Sequence, residues 1–184
     1  PLIEQTSLYM KYNISEILTA LAIKQKKSFQ DAVISILLTD SRKLSNPQET
    51  LFFALATKTN DGHKYIDDLY TQGVRNFVVS SSYVISGAHA DANFLVVKDT
   101  LGALQRLVAY HRHKFDIPVI GITGSNGKTI VKEWLYQLLH SDYNIVRSPR
   151  SYNSQTGVPL SVWQLDDTAT LGIFEAGISL PDEM

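Results

Sequence analysis

Cysteine is absent from this 184-residue chain. Its absence excludes disulfides, thiolate zinc sites and cysteine nucleophiles, and leaves the compartment undecided. An excess of charge is lacking too. Seventeen Lys and Arg stand against eighteen Asp and Glu, a formal net charge of -1. The basic footprint of a nucleic-acid or anionic-membrane binder is therefore missing. No apolar run approaches the roughly 20 residues of a membrane span. The opening stretch PLIEQTSLYMKYN has no long apolar core and does not read as a secretory signal. Internal repeats, low-complexity tracts and a serine–histidine nucleophile constellation are not found. The chain starts at Pro1 and stops at Met184, soon after a strand-like segment. Both ends read as cut, so a piece of a longer protein is expected.

What is present is an ordinary soluble composition, 44% hydrophobic and 19% charged, enough for one large domain or two small ones. Asn13 followed by Glu16 has the form of a capping box. Ile14, Ile17, Leu18, Leu21 and Ala22 then recur at helical spacing. AVISILL (32–38) and LFFAL (51–55) suit buried strands. HKYIDDLYTQG (63–73) predicts a short helix stopped by Gly73. NFVVS (76–80) and NFLVVK (93–98) are further strands. Asp99 is placed to cap a helix whose face is Leu101, Leu104, Leu107 and Val108. This half ends near Asp116 and Pro118.

The second half alternates more regularly. PVIGI is a strand, and the glycine-rich GITGSNGKT (121–129) follows it. The next helix is expected to bury Val131, Trp134, Leu135, Leu138 and Leu139. NIVRS (144–148) is a strand, GVPLSVWQL (157–165) a helix with Pro159 near its first turn, and TLGIFEAG (170–177) a third strand. This order predicts a parallel sheet covered by helices.

The glycine loop carries the chemistry. The first N–H groups of a helix have no internal partners and lie at the positive end of its dipole. Glycines let the backbone wrap a phosphate chain without Cβ clashes. A lysine at the loop's end adds charge near the outer phosphates, and a neighbouring hydroxyl can ligate Mg²⁺. Gly124, Gly127, Lys128 and Thr129 stand at those places. The chain departs from the general pattern at Ile122, where a glycine is usual, so its motif is the shorter G-x-x-G-K-T. Magnesium also needs carboxylate oxygens. Glu175 closes the strand LGIFE, which a parallel sheet would bring to the same edge as the loop. A solvated strand-end glutamate is the plainer alternative.

The blocks GITGSNGKTIVKE, SYNSQTGVPLSV and IFEAG resemble three consecutive parts of the central ATPase domain of the Mur ligases. TDSRKL (39–44), LFFAL (51–55), DGHKYI (61–66) and VVKDT (96–100) resemble the UDP-binding N-terminal domain of the same family. The resemblance runs from about residue 14 to near the end of the chain. Within the family, Ser125, the KE after the loop and N-x-x-x-G-V-P-L are most like the type that joins D-alanyl-D-alanine to UDP-N-acetylmuramoyl-tripeptide. The fold implied is α/β: a small UDP-precursor-binding domain over 1–115, then the first, truncated part of a parallel-sheet phosphate-loop ATPase domain over 116–184.

The resemblance also implies roles. Gly124, Ser125, Asn126, Gly127, Lys128, Thr129 and Ile130 would hold ATP. Lys128 would grip the β- and γ-phosphates, and Thr129 and Glu175 would hold Mg²⁺. Asn153 would lie beside nucleotide and metal. Lys128, Glu175 and Asn153 thus form the implied catalytic set. Ser41 and Arg42, with Asp61, Gly62 and His63, would bind the UDP substrate. The chain departs from the family at Ser154 and Ser151, where asparagines are common. The implied reaction is ATP-driven ligation of a carboxylate to an amine through an acyl phosphate, in the cytoplasm of a bacterium, for cell-wall precursor synthesis. A C-terminal ligase domain, and in some relatives a fused alanine racemase, would lie outside this chain, which is expected not to turn over by itself. Alternatives are the ligase type that adds the third peptide residue, a folylpolyglutamate synthase, or a UDP-sugar or nucleotide-binding module without catalysis.

Other residues carry plainer expectations. His111 and His113 are two apart on a helix and do not face each other, so a shared metal site is not expected. KQKK (24–27) reads as a solvated helix end. Trp134 is expected in the core. Trp163 and Tyr152 suit either packing or substrate contact, and Ser80, Ser81 and Ser82 suit a loop.

Overall fold

The computed structural model describes residues 10–24, 29–57, 60–149 and 152–177. Most of KQKK, Ser151 and both chain ends lie outside the described residues. The chain opens with β1 (Tyr12–Asn13), α1 (Ile14–Ala20) and β2 (Val33–Ile34). Then come β3 (Ile36–Leu38), β4 (Thr50–Phe53), α2 (Ile66–Thr71), β5 (Asn76–Ser80), β6 (Asn93–Val97) and α3 (Thr100–Arg112). The second half holds β7 (Val119–Ile122), α4 (Lys128–Leu139), β8 (Ile145–Arg147), α5 (Gly157–Val162) and β9 (Leu171–Glu175).

Strands β3-β4-β5-β6 form a parallel sheet in chain order. Side chains alternate across a strand, and both faces are apolar. Leu51, Phe53, Val78, Leu95 and Val97 face one cluster with α1 and α3, including Ile17, Leu104 and Leu107. Phe52, Ala54, Phe77 and Val79 face a second cluster with Ile66 and Leu69 of α2. Burial on both faces is what parallel strands require. The second sheet, ordered β7-β9-β8, is also parallel. On one face Ile122, Leu171 and Ile173 pack with Leu135 and Leu139 of α4. On the other, Phe174 packs with Phe115, Leu165 and Val162. The α/β class with parallel sheets is as the sequence predicts.

Three local expectations are corrected. The run AVISILL is two strands. Ser35 and Ile36 both direct their N–H groups at the Glu49 carbonyl. Val33–Ile34 therefore pair antiparallel with β1, while Ile36–Leu38 join the parallel sheet. Asn13 sits at the cap of α1 but makes no side-chain cap bond. Glu16 is drawn across to the end of α3 instead, where Tyr110 of the helix and Lys114 just beyond it donate to it. The third correction concerns α4. Leu135 and Leu139 pack inward, but Val131, Trp134 and Leu138 lie outside, with Trp134 63% exposed. The helix is rotated because Thr129 and Lys132 on its inner face are both tied to Glu175. By contrast Asp99 caps α3, accepting from Leu101 N–H at 3.0 Å.

Trp163 joins the two sheets. Its Nε1 donates to the Ser35 carbonyl at 2.8 Å, and its ring lies 4.6 Å from that of buried His111. His111 Nδ1 is 2.7 Å from the Tyr12 hydroxyl. His113 turns to the Ala109 carbonyl of its own helix, so the two histidines have different partners.

Candidate functional site

The loop between β7 and α4 is shaped by two left-handed glycines, Gly124 at φ +136° and Gly127 at φ +80°. L side chains rarely adopt that region. Gly127 is the cap residue of α4, and no side chain caps that end. The N–H groups of the first turn are thus directed into the loop rather than consumed by a cap. Lys128 opens the helix, and its Nζ lies 2.5 Å from the Gly124 carbonyl, over the loop.

Glu175 ends the central strand β9, beside Ile122 at the end of β7. Its side chain is fully buried. Thr129 Oγ1 donates to Glu175 Oε2 at 3.0 Å. The sequence-predicted pair is therefore brought together across 46 residues of chain. Glu175 Oε1 lies 2.8 Å from Lys132 Nζ, an ion pair between two groups with no exposure. That contact lacks hydrogen-bond angles, so Oε1 has no hydrogen bond. Lys132 also donates to the Ser148 carbonyl at 2.8 Å, and the Ser148 hydroxyl accepts the Glu175 N–H. Glu133 pairs with Arg147 and approaches Lys132 at 3.4 Å. A buried carboxylate with an oxygen lacking hydrogen bonds, beside the Thr129 hydroxyl that donates to its other oxygen and a glycine loop, fits the donor set of Mg²⁺ bound with phosphates.

Asn153 lies on the same edge. Its carbonyl accepts the Gly177 N–H at 2.7 Å, just beyond β9. Ser125, Asn126 and Ile130 are exposed along the loop and first helical turn.

The other predicted residues cluster at the C-terminal ends of β3 and β4. Asp40 accepts from Arg42 N–H and pairs with its guanidinium at 2.8 Å. That guanidinium holds the Asp40 carboxyl below the usual range. Ser41 and Arg42 form a single 3-10 turn, with the Arg42 side chain 87% exposed. Gly62 is buried where an added Cβ would sit 2.8 Å from the Leu55 nitrogen, so close backbone approach demands glycine. His63 Nε2 accepts the Ser80 N–H at 3.0 Å, which places the ring proton on Nδ1, 2.6 Å from Asp61. The Asp61 carboxyl is held low by the His63 backbone N–H and then by the imidazole. Both His63 nitrogens are thus engaged, and its ring stacks on Tyr83.

Two clefts open between the sheets. One, of ≈ 230 Å³, is lined by Leu38, Asp40, Lys43, Tyr152 and Trp163 among others. Lys43 Nζ donates to the Tyr152 hydroxyl at 2.6 Å across it. The second, of ≈ 250 Å³, lies between Leu55–Thr57 and the Ser154–Thr156 loop, with Gly177 in its wall. It therefore runs from the β4 end toward the β9 end. Sequence reasoning missed Lys132, Ser148 and Lys43. The available signal for Lys132 was its position three and four residues after Thr129 and Lys128, on their helix face.

A parallel sheet with a strand–glycine loop–helix unit and a carboxylate at the end of the neighbouring strand is the arrangement of the phosphate-loop class of α/β folds. Residues 122–183 match the Mur ligase middle domain. The chain is 30% identical over 156 residues to the UDP-N-acetylmuramoyl-tripeptide–D-alanyl-D-alanine ligase of Bacillus subtilis, covering 85% of this chain and 33% of that one. It is 34% identical over 146 residues to the Synechocystis ligase of the same name, covering 79% and 31%. A solved Acinetobacter baumannii D-alanyl-D-alanyl ligase superposes at TM-score 0.84 and 25% identity, covering 96% of this chain and 39% of that one. The MurF ligase of Thermotoga maritima, solved in complex with ADP, superposes at 0.67 and 27% identity, covering 79% and 32%. Residues 122–183 belong to the Mur ligase middle-domain family, and these relatives are ligases of the MurF type. It spans 33% of the length of the Bacillus relative. Among the described residues no helix is long and apolar enough to cross a membrane.

Proposed function

We propose that this chain is the substrate- and nucleotide-binding part of a MurF-type ligase, which joins D-alanyl-D-alanine to UDP-N-acetylmuramoyl-tripeptide at the expense of ATP. The observation that carries the reading is the Thr129–Glu175 contact of 3.0 Å at the head of α4, beside the glycine loop. The relatives' names supply the substrates, and the ADP complex of one relative supports the nucleotide. Residues 1–115 act as the UDP-precursor-binding domain and 116–184 as the first part of the ATPase domain. The setting is the bacterial cytoplasm.

In this reading the N–H groups of the loop and of the first turn of α4 hold the polyphosphate. Lys128 swings from the Gly124 carbonyl to the β- and γ-phosphates. Thr129 and Glu175 hold Mg²⁺, and Asn153 borders the nucleotide. Bound Mg²⁺ supplies charge neutralisation on the transferring phosphoryl group. Arg42, freed from Asp40, and the Asp61–His63 turn hold the UDP end. The peptide then runs through the cleft between Leu55–Thr57 and Ser154–Thr156. Its terminal carboxylate attacks the γ-phosphate, releasing ADP and forming an acyl phosphate. The amine of D-alanyl-D-alanine displaces phosphate from that carbonyl. Positioning and electrostatics do this work, with no protein nucleophile.

Calorimetric titration of the full-length protein with UDP-N-acetylmuramoyl-tripeptide and with Mg-ATP tests the reading. Both should bind, and a ligation assay with D-alanyl-D-alanine should give ADP, phosphate and the pentapeptide product. Binding of neither ligand by a folded sample would sink it.

A further inference from the structure

Lys132 has no part in the reading above. It is a fully buried cation, 2.8 Å from the carboxylate on which a metal would depend. Its neighbours make a small charge network. Lys132 and Arg147 stand against the carboxylates of Glu133 and Glu175, so the four linked charges sum to zero. Among the described residues no group of three His, Cys, Asp or Glu side chains is placed to hold a metal ion. A divalent cation approaching Glu175 meets a carboxylate already neutralised by an ammonium, in a site with no solvent to screen it. A polyphosphate meets the opposite field: a glycine loop of backbone N–H groups, a helix N-terminus and Lys128.

We propose that Lys132 makes metal binding conditional on nucleotide. It cancels the charge of Glu175, so the protein by itself holds Mg²⁺ poorly. The negative phosphates then supply the missing charge, and Mg²⁺ enters together with the nucleotide. Lys132 also fixes where Glu175 points, since it anchors Oε1 and leaves Oε2 to Thr129. It is a positioning residue that touches neither substrate. The inference rests on the nucleotide reading of the loop and assigns this buried lysine a sign: it opposes the cation and favours the anion.

The sign makes it testable. Mg²⁺ without nucleotide, and ATP without metal in EDTA, are titrated into full-length wild type, Lys132→Met and Lys132→Arg, each checked for folding by circular dichroism. Lys132→Met should bind Mg²⁺ at least tenfold more tightly than wild type and metal-free ATP at least tenfold more weakly. Lys132→Arg should behave as wild type. A role in packing only would weaken both ligands together in Lys132→Met, and that result would overturn the proposal. So would unchanged Mg²⁺ affinity. Should Lys132→Met fail to fold, Lys132→Gln, which removes the charge and keeps a donor for the Ser148 carbonyl, reads the same two affinities. A wild type that binds ATP in neither form refutes the nucleotide reading itself, while the Mg²⁺ comparison still decides the effect of Lys132.

Discussion

The two strand-end edges of this molecule are built on opposite plans. The edge of the four-stranded sheet is closed on itself. Asp40 holds Arg42, Asp61 holds His63, and His63 in turn receives Ser80. Both partners, Arg42 of Asp40 and His63 of Asp61, lie only two residues along the chain. The edge of the three-stranded sheet is assembled from distant segments. Thr129 and Lys132 of α4, Ser148 after β8 and Glu175 of β9 meet only when the sheet forms. Local turns suffice to orient a ligand by shape and hydrogen bonds. The second edge depends on buried charges, which persist only when paired.

The sharpest way to break the comparison is to unfasten the two edges from each other. Trp163→Ala removes a buried indole and its bond to Ser35, and should cost about 3–5 kcal/mol in denaturant unfolding. Both edges should remain locally intact, so ligand protection against unfolding should survive separately for each ligand. Next in size is Lys128→Ala, expected to lower the ligation rate of the full-length enzyme by about 10²–10³-fold. UDP-tripeptide binding should not change, because the other edge does not use this lysine. An equal loss of both would merge the two edges into one site.

A pH dependence probes the fastening differently. Burial lowers the pKa of His111 from its ordinary value to about 4. The unfolded chain therefore takes up a proton that the folded chain resists. Stability is complete above about pH 6.5 and falls as pH drops toward 4, by about 3 kcal/mol if this group acts alone. His111→Asn, which does not titrate, should show a flatter dependence in chemical denaturation at the two ends of that range. The smallest effect is expected at the self-closed edge. Arg42→Ala should weaken UDP-tripeptide binding about tenfold, the scale of one charge-assisted contact, with the thermal midpoint unchanged, since the side chain is exposed. A shifted midpoint would mean that the Asp40–Arg42 pair holds the turn together.

Much of this was legible in the chain. The strand patterns, the Asp99 cap, the glycine loop and the partnership of Thr129 with Glu175 all follow from local rules: alternation, cap chemistry and the edge to which parallel strands deliver their ends. The sequence marked Trp134 as core because it lies on an apolar stripe, yet that stripe faces outward. An apolar stripe reports which residues are hydrophobic, and two polar anchors, Thr129 and Lys132, decided which face turned in.

The sequence by itself determined the α/β class of the molecule and the glycine-rich shape of the loop after β7, because alternating strand and helix patterns and left-handed glycines are written in short stretches of chain. Tertiary structure alone decided the pairing of Lys132 with Glu175, the meeting of Lys43 with Tyr152, and the burial of Trp163 against Ser35. Those pairs are 43, 109 and 128 residues apart. A buried ion pair or a bridging indole leaves no periodic trace, since its energy comes from the desolvated space that the folded chain creates around it.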